Sequence, residues 1–331
     1  MAMTETALPP SPARGFRAFS WVMVGLTFAY LVNNYLVVWL EWPGARTGLS
    51  EGHSLAFVHV AIYLIGTAGP VALVMRSPDV ALRADAERIS AIVRFIIRWA
   101  FWIVMLVGIA DAAVSFLRVE EMLAGLVGTE MADKLNFNAN RAPIVHGPLI
   151  LVALLLAILF RRTLGFHWLG LLVVLAELAI VLSRFIFSYE QAFMGDLVRF
   201  WYGALFLFAS AFTLVEDGHV RVDVMYAGMK DRTKGFVNAW GSIILGILFC
   251  WIILFMGMET KSSSINAPLV SLEVSQSGFG MYVKYLMAGF LGVFAVTMML
   301  QFSAYLLESV ADWRGEEGSK LHRHDDELPV H

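Results

Sequence analysis

Stretches of about 20 consecutive apolar residues recur from one end of this 331-residue chain to the other, the length needed to cross a hydrocarbon core of roughly 30 Å. Eight segments qualify: 19–40, 55–75, 92–117, 143–160, 164–187, 197–215, 236–258 and 281–307. With 59% hydrophobic and 15% charged residues and a mean hydropathy of +0.70, the chain has too few polar groups to cover a water-soluble globule. Alternation of apolar and polar residues, the mark of a membrane barrel, is missing, so the expected fold class is all-α, a polytopic transmembrane helical protein. Pro70 is expected to kink the second span without ending it, and Pro143 and Pro148 make the fourth the shortest and least regular. Arg14 and Arg17 precede an apolar segment that is too long for a signal sequence and lacks a small-x-small cleavage site, so it reads as a retained first span.

Lysine and arginine set the orientation. A cytoplasmic N-terminus leaves two thirds of the 24 basic residues on the inner side, including Arg83, Arg88, Arg221, Lys230, Arg232 and Lys234. Both termini are therefore expected to be cytoplasmic, with 315–331 as a polar, disordered tail. Two inner connections read as helices lying on the membrane surface. One is capped by Ser77-Pro78-Asp79 and carries Leu82, Ala86, Ile89 and Val93 on one face. The other has Val222, Met225, Tyr226 and Met229 at helical spacing, a pattern that a solvated loop also fits. On the outer side, 118–142 is acidic and places Leu123, Leu126, Val127, Met131 and Leu135 at helical spacing, facing a partner or the outer leaflet.

Ionisable residues within spans are costly and mark candidate sites. Asp111 and Glu177 each precede an arginine, Arg118 and Arg184, by seven residues, so acid and arginine share a face about 10 Å apart along the axis. That is too far for pairing within one helix, though a neighbouring helix can bridge them. Two readings follow: an ion or proton relay, or polar contacts that fix helix packing. Asn33-Asn34 and Gly108 with Ala112 read as helix-contact features. Membrane haem needs paired histidines on facing helices. Only His59 reads as well buried, with His146 near the outer end of the fourth span, so no cofactor is expected. The one cysteine, Cys250, excludes a disulfide framework and a cysteine metal site, and a net charge of −3 gives no nucleic-acid footprint. Phosphate-loop, zinc-protease and serine-elbow motifs are missing, and no convergent polar groups point to an enzyme.

The second half carries three further signatures: Arg184-Phe185 near the outer end of a span, Asp196 with Arg199 opening the next, and His219-Val220-Arg221-Val222-Asp223 after it. In this order they resemble the small membrane subunit, the DctQ-type component, of tripartite ATP-independent periplasmic (TRAP) transporters. The family more often has glutamate where Asp196 stands. The resemblance implies three regions: an extension over 1–161 with about four spans, a four-helix small-permease domain over 162–314, and the tail. It also implies a scaffold in the bacterial inner membrane, docked on a large membrane subunit that moves solute with sodium, and served by a periplasmic solute-binding protein. The family's substrates are organic acids and related solutes. The signature residues are then expected at subunit or membrane interfaces. The competing readings are a redox subunit binding haem through His59 and His146, and a stand-alone carrier using Asp111 and Glu177.

Overall fold

The computed structural model describes residues 13–161, 166–215, 226, 228–274 and 280–318. Eight of the helices among them are long and apolar enough to cross a membrane, as the hydropathy pattern requires. They are α1 (Arg14–Val38), α2 (Leu55–Arg76), α3 (Leu82–Val119), α4 (Asn138–Leu159), α5 (Phe166–Phe187), α6 (Ala192–Val215), α7 (Asp231–Met258) and α8 (Lys284–Arg314). The regular structure among the described residues is entirely helical. Pro70 lies inside an unbroken α2. The signature at 219–223 and, of the stripe, Val222 and Met225 lie outside the described residues.

The chain forms two compact units, one of residues 1–90, 220–249 and 299–331, the other of 91–219 and 250–298. In the first unit, α1 and α2 pack backbone to backbone. A Cβ on Gly66 would come within 2.8 Å of the Gly25 carbonyl oxygen, so only glycine permits this approach. About two turns further along, Asn33 Oδ1 and His59 Nδ1 lie 2.6 Å apart, both residues buried, with the Trp42 ring edge-on to the imidazole. Asn33 is thus the helix-contact residue its sequence position implied.

The turn between α2 and α3 is held by a buried arginine. Arg17, 1% exposed, donates from Nε to Asp85 Oδ2 at 2.7 Å and from Nη1 to the Ser77 carbonyl at 2.7 Å. Ser77 is therefore a turn residue whose hydroxyl bonds back to Leu73, and does not cap a surface helix. The expected surface helix over 77–93 is corrected on a second count. Leu82, Ala86, Ile89 and Val93 are all buried inside the protein, and α3 runs from Leu82 through its apolar span without a break. Its apolar stripe is buried, while Arg88 on another face is exposed and pairs with Asp85 at 3.1 Å.

In the second unit, Phe101, Val104 and Val107 of α3 meet Leu169 of α5, Phe200, Trp201 and Phe208 of α6, and Phe290 of α8 in one apolar core. Gly108 makes room for the Trp201 indole, which donates to the Val104 carbonyl at 3.2 Å. The segment 118–142 folds into short helices, Leu123–Val127, Thr129–Leu135 and Asn138–Arg141, and its Leu123, Ala132 and Leu135 pack against Val114, Leu117 and Val145. Leu126, Val127 and Met131 of the expected face remain exposed. Within α4, a wide π turn covers Ala142–His146. Pro143 lacks an N–H and the Pro148 ring would crowd the Ile144 carbonyl in a regular helix, so the wider turn relieves both.

Removing Asp85 strands the buried Arg17 charge, and removing Arg17 leaves the buried Asp85 only the exposed Arg88, at a cost of up to about 3–5 kcal/mol. Arg17→Met is expected to lower the thermal unfolding midpoint of the detergent-purified protein strongly. Arg17→Met combined with Asp85→Leu is expected to recover much of the loss, as thermal melts of the three variants would show.

Candidate functional site

The polar residues of the second unit converge on the short segment that leads into α8. Asp111, on the core face of α3 and fully buried, accepts at Oδ2 from the Tyr282 backbone N–H at 2.7 Å. Asp196, in the first turns of α6, accepts at Oδ2 from the adjacent Met281 N–H at 3.0 Å and at Oδ1 from Arg199 at 3.0 Å. These backbone donors precede the helix, and the two carboxylates do for them what a helix cap does.

Asp111 carries a second set of partners at Oδ1. Arg141 donates from Nη1 at 3.1 Å, and His146 Nε2 lies at 3.2 Å, all three side chains being 0% exposed. His146 Nδ1 lies 2.7 Å from the Tyr285 hydroxyl. One tautomer satisfies both sides of the ring: Nε2–H donates to Asp111, and Nδ1 accepts from Tyr285. Arg141 further donates to the Leu135 carbonyl and to Ser115, and its guanidinium lies 4.0 Å from the centre of the Tyr282 ring. Arg118 reaches the same ring at 4.8 Å and donates to the Tyr282 hydroxyl at 2.6 Å and the Gly280 carbonyl at 2.9 Å. The Tyr282 hydroxyl donates in turn to the Asn136 carbonyl. The assembly joins α3, the segment 118–142, α4 and the α8 lead-in through charge-assisted bonds in a low-dielectric interior, where each is stronger than in water.

Of the residues expected to bear function, Asp111 and Arg118 are thus brought together, though not with each other. Each uses a partner from another element, the bridging that their spacing allowed. Glu177 and Arg184 stand apart from this cluster. Glu177 is exposed on α5, and Arg184 Nε faces Glu190 Oε2 at 3.4 Å at the C-terminal end of that helix, next to an exposed Phe185. Glu177, Glu190, Asp196 and Arg199 line one cleft of about 500 Å³ between α5 and α6. Nearby, the Tyr189 hydroxyl donates to Glu120 at 2.6 Å, and burial together with that carboxylate pushes its pKa up to about 12. The expectation that only His59 is well buried is corrected: His146 is fully buried as well. The two histidines belong to different units, and each is engaged in the hydrogen bonds described above. Sequence reasoning passed over Arg141, Ser115, Tyr282 and Tyr285. Their only sequence signal was an arginine and a histidine flanking the prolines of an irregular span.

Residues 171–311 match the family model of the DctQ component of tripartite ATP-independent periplasmic transporters. No curated protein and no solved structure matches the chain. The family match bears out the resemblance carried by the signature residues, and that family is a transporter component, not an enzyme family. The matched stretch contains Glu177, Arg184, Asp196, Arg199, Tyr282 and Tyr285, whereas Asp111, Arg118, Arg141 and His146 all precede it. The polar cluster therefore binds the preceding region to the DctQ-like one.

Asp111→Asn keeps an acceptor for the Tyr282 N–H but leaves Arg141 without its counter-charge, an imbalance worth about 3–5 kcal/mol. His146→Phe removes hydrogen bonds without stranding a charge and is expected to cost less, about 1–3 kcal/mol. In a Cys250→Ser background, a cysteine at the buried Val283 is expected to react with a maleimide much faster in Asp111→Asn than in the parent.

Proposed function

We propose that this chain is the small scaffold subunit of a TRAP-type secondary transporter of the bacterial inner membrane. It docks on a large membrane subunit that holds the substrate and sodium sites, and a periplasmic solute-binding protein delivers an organic acid or related solute to the complex. The observation that carries the reading is the family match over 171–311, which covers the last four spans.

The geometry agrees with a static role. Transporters build their sites from broken helices whose free ends face a cavity at mid-depth. Here the irregular backbone before α8 is occupied by Asp111 and Asp196, and the π turn of α4 ends on His146, whose two ring nitrogens are both engaged. Asp111 lies inside this cluster and Glu177 on the outside of α5, so the stand-alone carrier would require the two acids to act without a shared site. Among the described residues no group of three or more histidine, cysteine or acidic side chains is placed to hold a metal ion.

The extension belongs to the scaffold under this reading. Its α3 and α4 supply half of the polar cluster and much of the apolar core around α6 and α8. The inner side carries both termini, because the basic residues concentrate there.

Two measurements test the proposal. The large membrane subunit, co-expressed with an affinity-tagged form of this chain, is expected to be retained in equimolar amount through detergent purification; retention of none contradicts the scaffold role. A cysteine replacing Glu317 in intact cells is expected to react with a bulky polyethylene glycol maleimide only after the inner membrane is permeabilised.

A further inference from the structure

Helix α5 buries almost none of itself. Only 6% of its apolar window is buried, against 61% for α8. Its packing stripe is Leu169, Leu172, Val173 and Ala176, the i, i+3, i+4, i+7 pattern of a helix resting on a core through one edge. Glu177 stands beside that stripe, exposed, at ten residues from either end of the span 167–187, about 15 Å of helix from each side. A carboxylate at that depth facing lipid is costly, and such residues almost always face a protein interior or a partner.

The cleft beside it shows what the partner must bring. Among the cleft's three carboxylates, Glu190 is paired with Arg184 and Asp196 with Arg199. Glu177 has no hydrogen bond or ion pair among the described residues, which leaves the cleft one negative charge in excess. A volume of about 500 Å³ accommodates a long side chain from a neighbouring helix.

We infer that the outward face of α5 is the docking face for the large membrane subunit, and that the cleft between α5 and α6 receives a lysine or arginine from one of its membrane helices, paired with Glu177. This rests on the scaffold reading and adds to it the face and the anchoring charge. Val174 and Val181, one turn to either side of Glu177 and exposed, lie within the contact.

The test places a photoreactive benzoylphenylalanine at Val174 or Val181 in the chain co-expressed with the large subunit. Irradiation is expected to give an adduct of the two proteins. Glu177→Lys, which sets two like charges against each other, is expected to lower the co-purified large subunit by roughly tenfold or more, with Glu177→Gln intermediate. The thermal midpoint of the chain purified alone is expected to stay unchanged in both, since Glu177 supports no contact of its own fold. Adducts only with lipid or with a second copy of the chain, while the large subunit still co-purifies, overturn the inference and leave the scaffold role standing. An unchanged yield in Glu177→Lys does the same. Failure of the unaltered chain to retain the large subunit overturns both.

Discussion

Two neighbouring backbone N–H groups, those of Met281 and Tyr282, must be satisfied at the point where the chain enters α8, and two buried carboxylates satisfy them. In a bilayer an unmet donor costs several kcal/mol, so a non-helical stretch is tolerated only where protein groups complete it. Asp196 comes from the opening of α6 and Asp111 from the middle of α3. Once both are committed to this segment, α3, α6 and α8 have a fixed register. The Phe200–Phe290 and Phe208–Phe290 contacts, each with ring centres 5.1 Å apart, follow from it.

The second constraint is the charge that Asp111 brings. A lone carboxylate at that position would be prohibitive, and Arg141 and His146 offset it from α4. That requirement shapes the segment 118–142. It must fold back over α3 and α4, with Leu123, Ala132 and Leu135 inward, to bring Arg141 within reach. A region that precedes the DctQ-like stretch is in this way held to it by charge, by hydrogen bonds and by the stacking of Arg141 and Arg118 on Tyr282. The same holds for the apolar core, where the Trp201 indole bonds to the backbone of α3.

What could be read from sequence divides along physical lines. The eight spans were legible because a bilayer imposes length and hydropathy on each segment alone, with no knowledge of its neighbours. The stripe of Leu82, Ala86, Ile89 and Val93 was legible as a periodicity. What it touches was not, since membrane surface and neighbouring helix select the same pattern, and the charges of Arg83, Asp85, Glu87 and Arg88 masked the continuity of α3. Asp111 stood out by its cost. Its partners lie 30 and 35 residues away in the chain, and the Tyr282 donor is a backbone group that leaves no mark on side-chain sequence. Asp196 was named through the family resemblance, while its structural task, holding the Met281 N–H, became visible only with coordinates. Glu177 shows the reverse case, a residue noticed for its depth whose significance lies in the lack of an internal partner.

A scaffold subunit supports translocation without performing it. The most direct measurement is solute accumulation in proteoliposomes under an inward sodium gradient, using the organic acid bound by the cognate periplasmic protein. Vesicles holding this chain alone are expected to accumulate nothing above empty vesicles, and vesicles holding it with the large subunit and supplied with the binding protein are expected to accumulate the solute. Uptake by the chain alone would contradict the account.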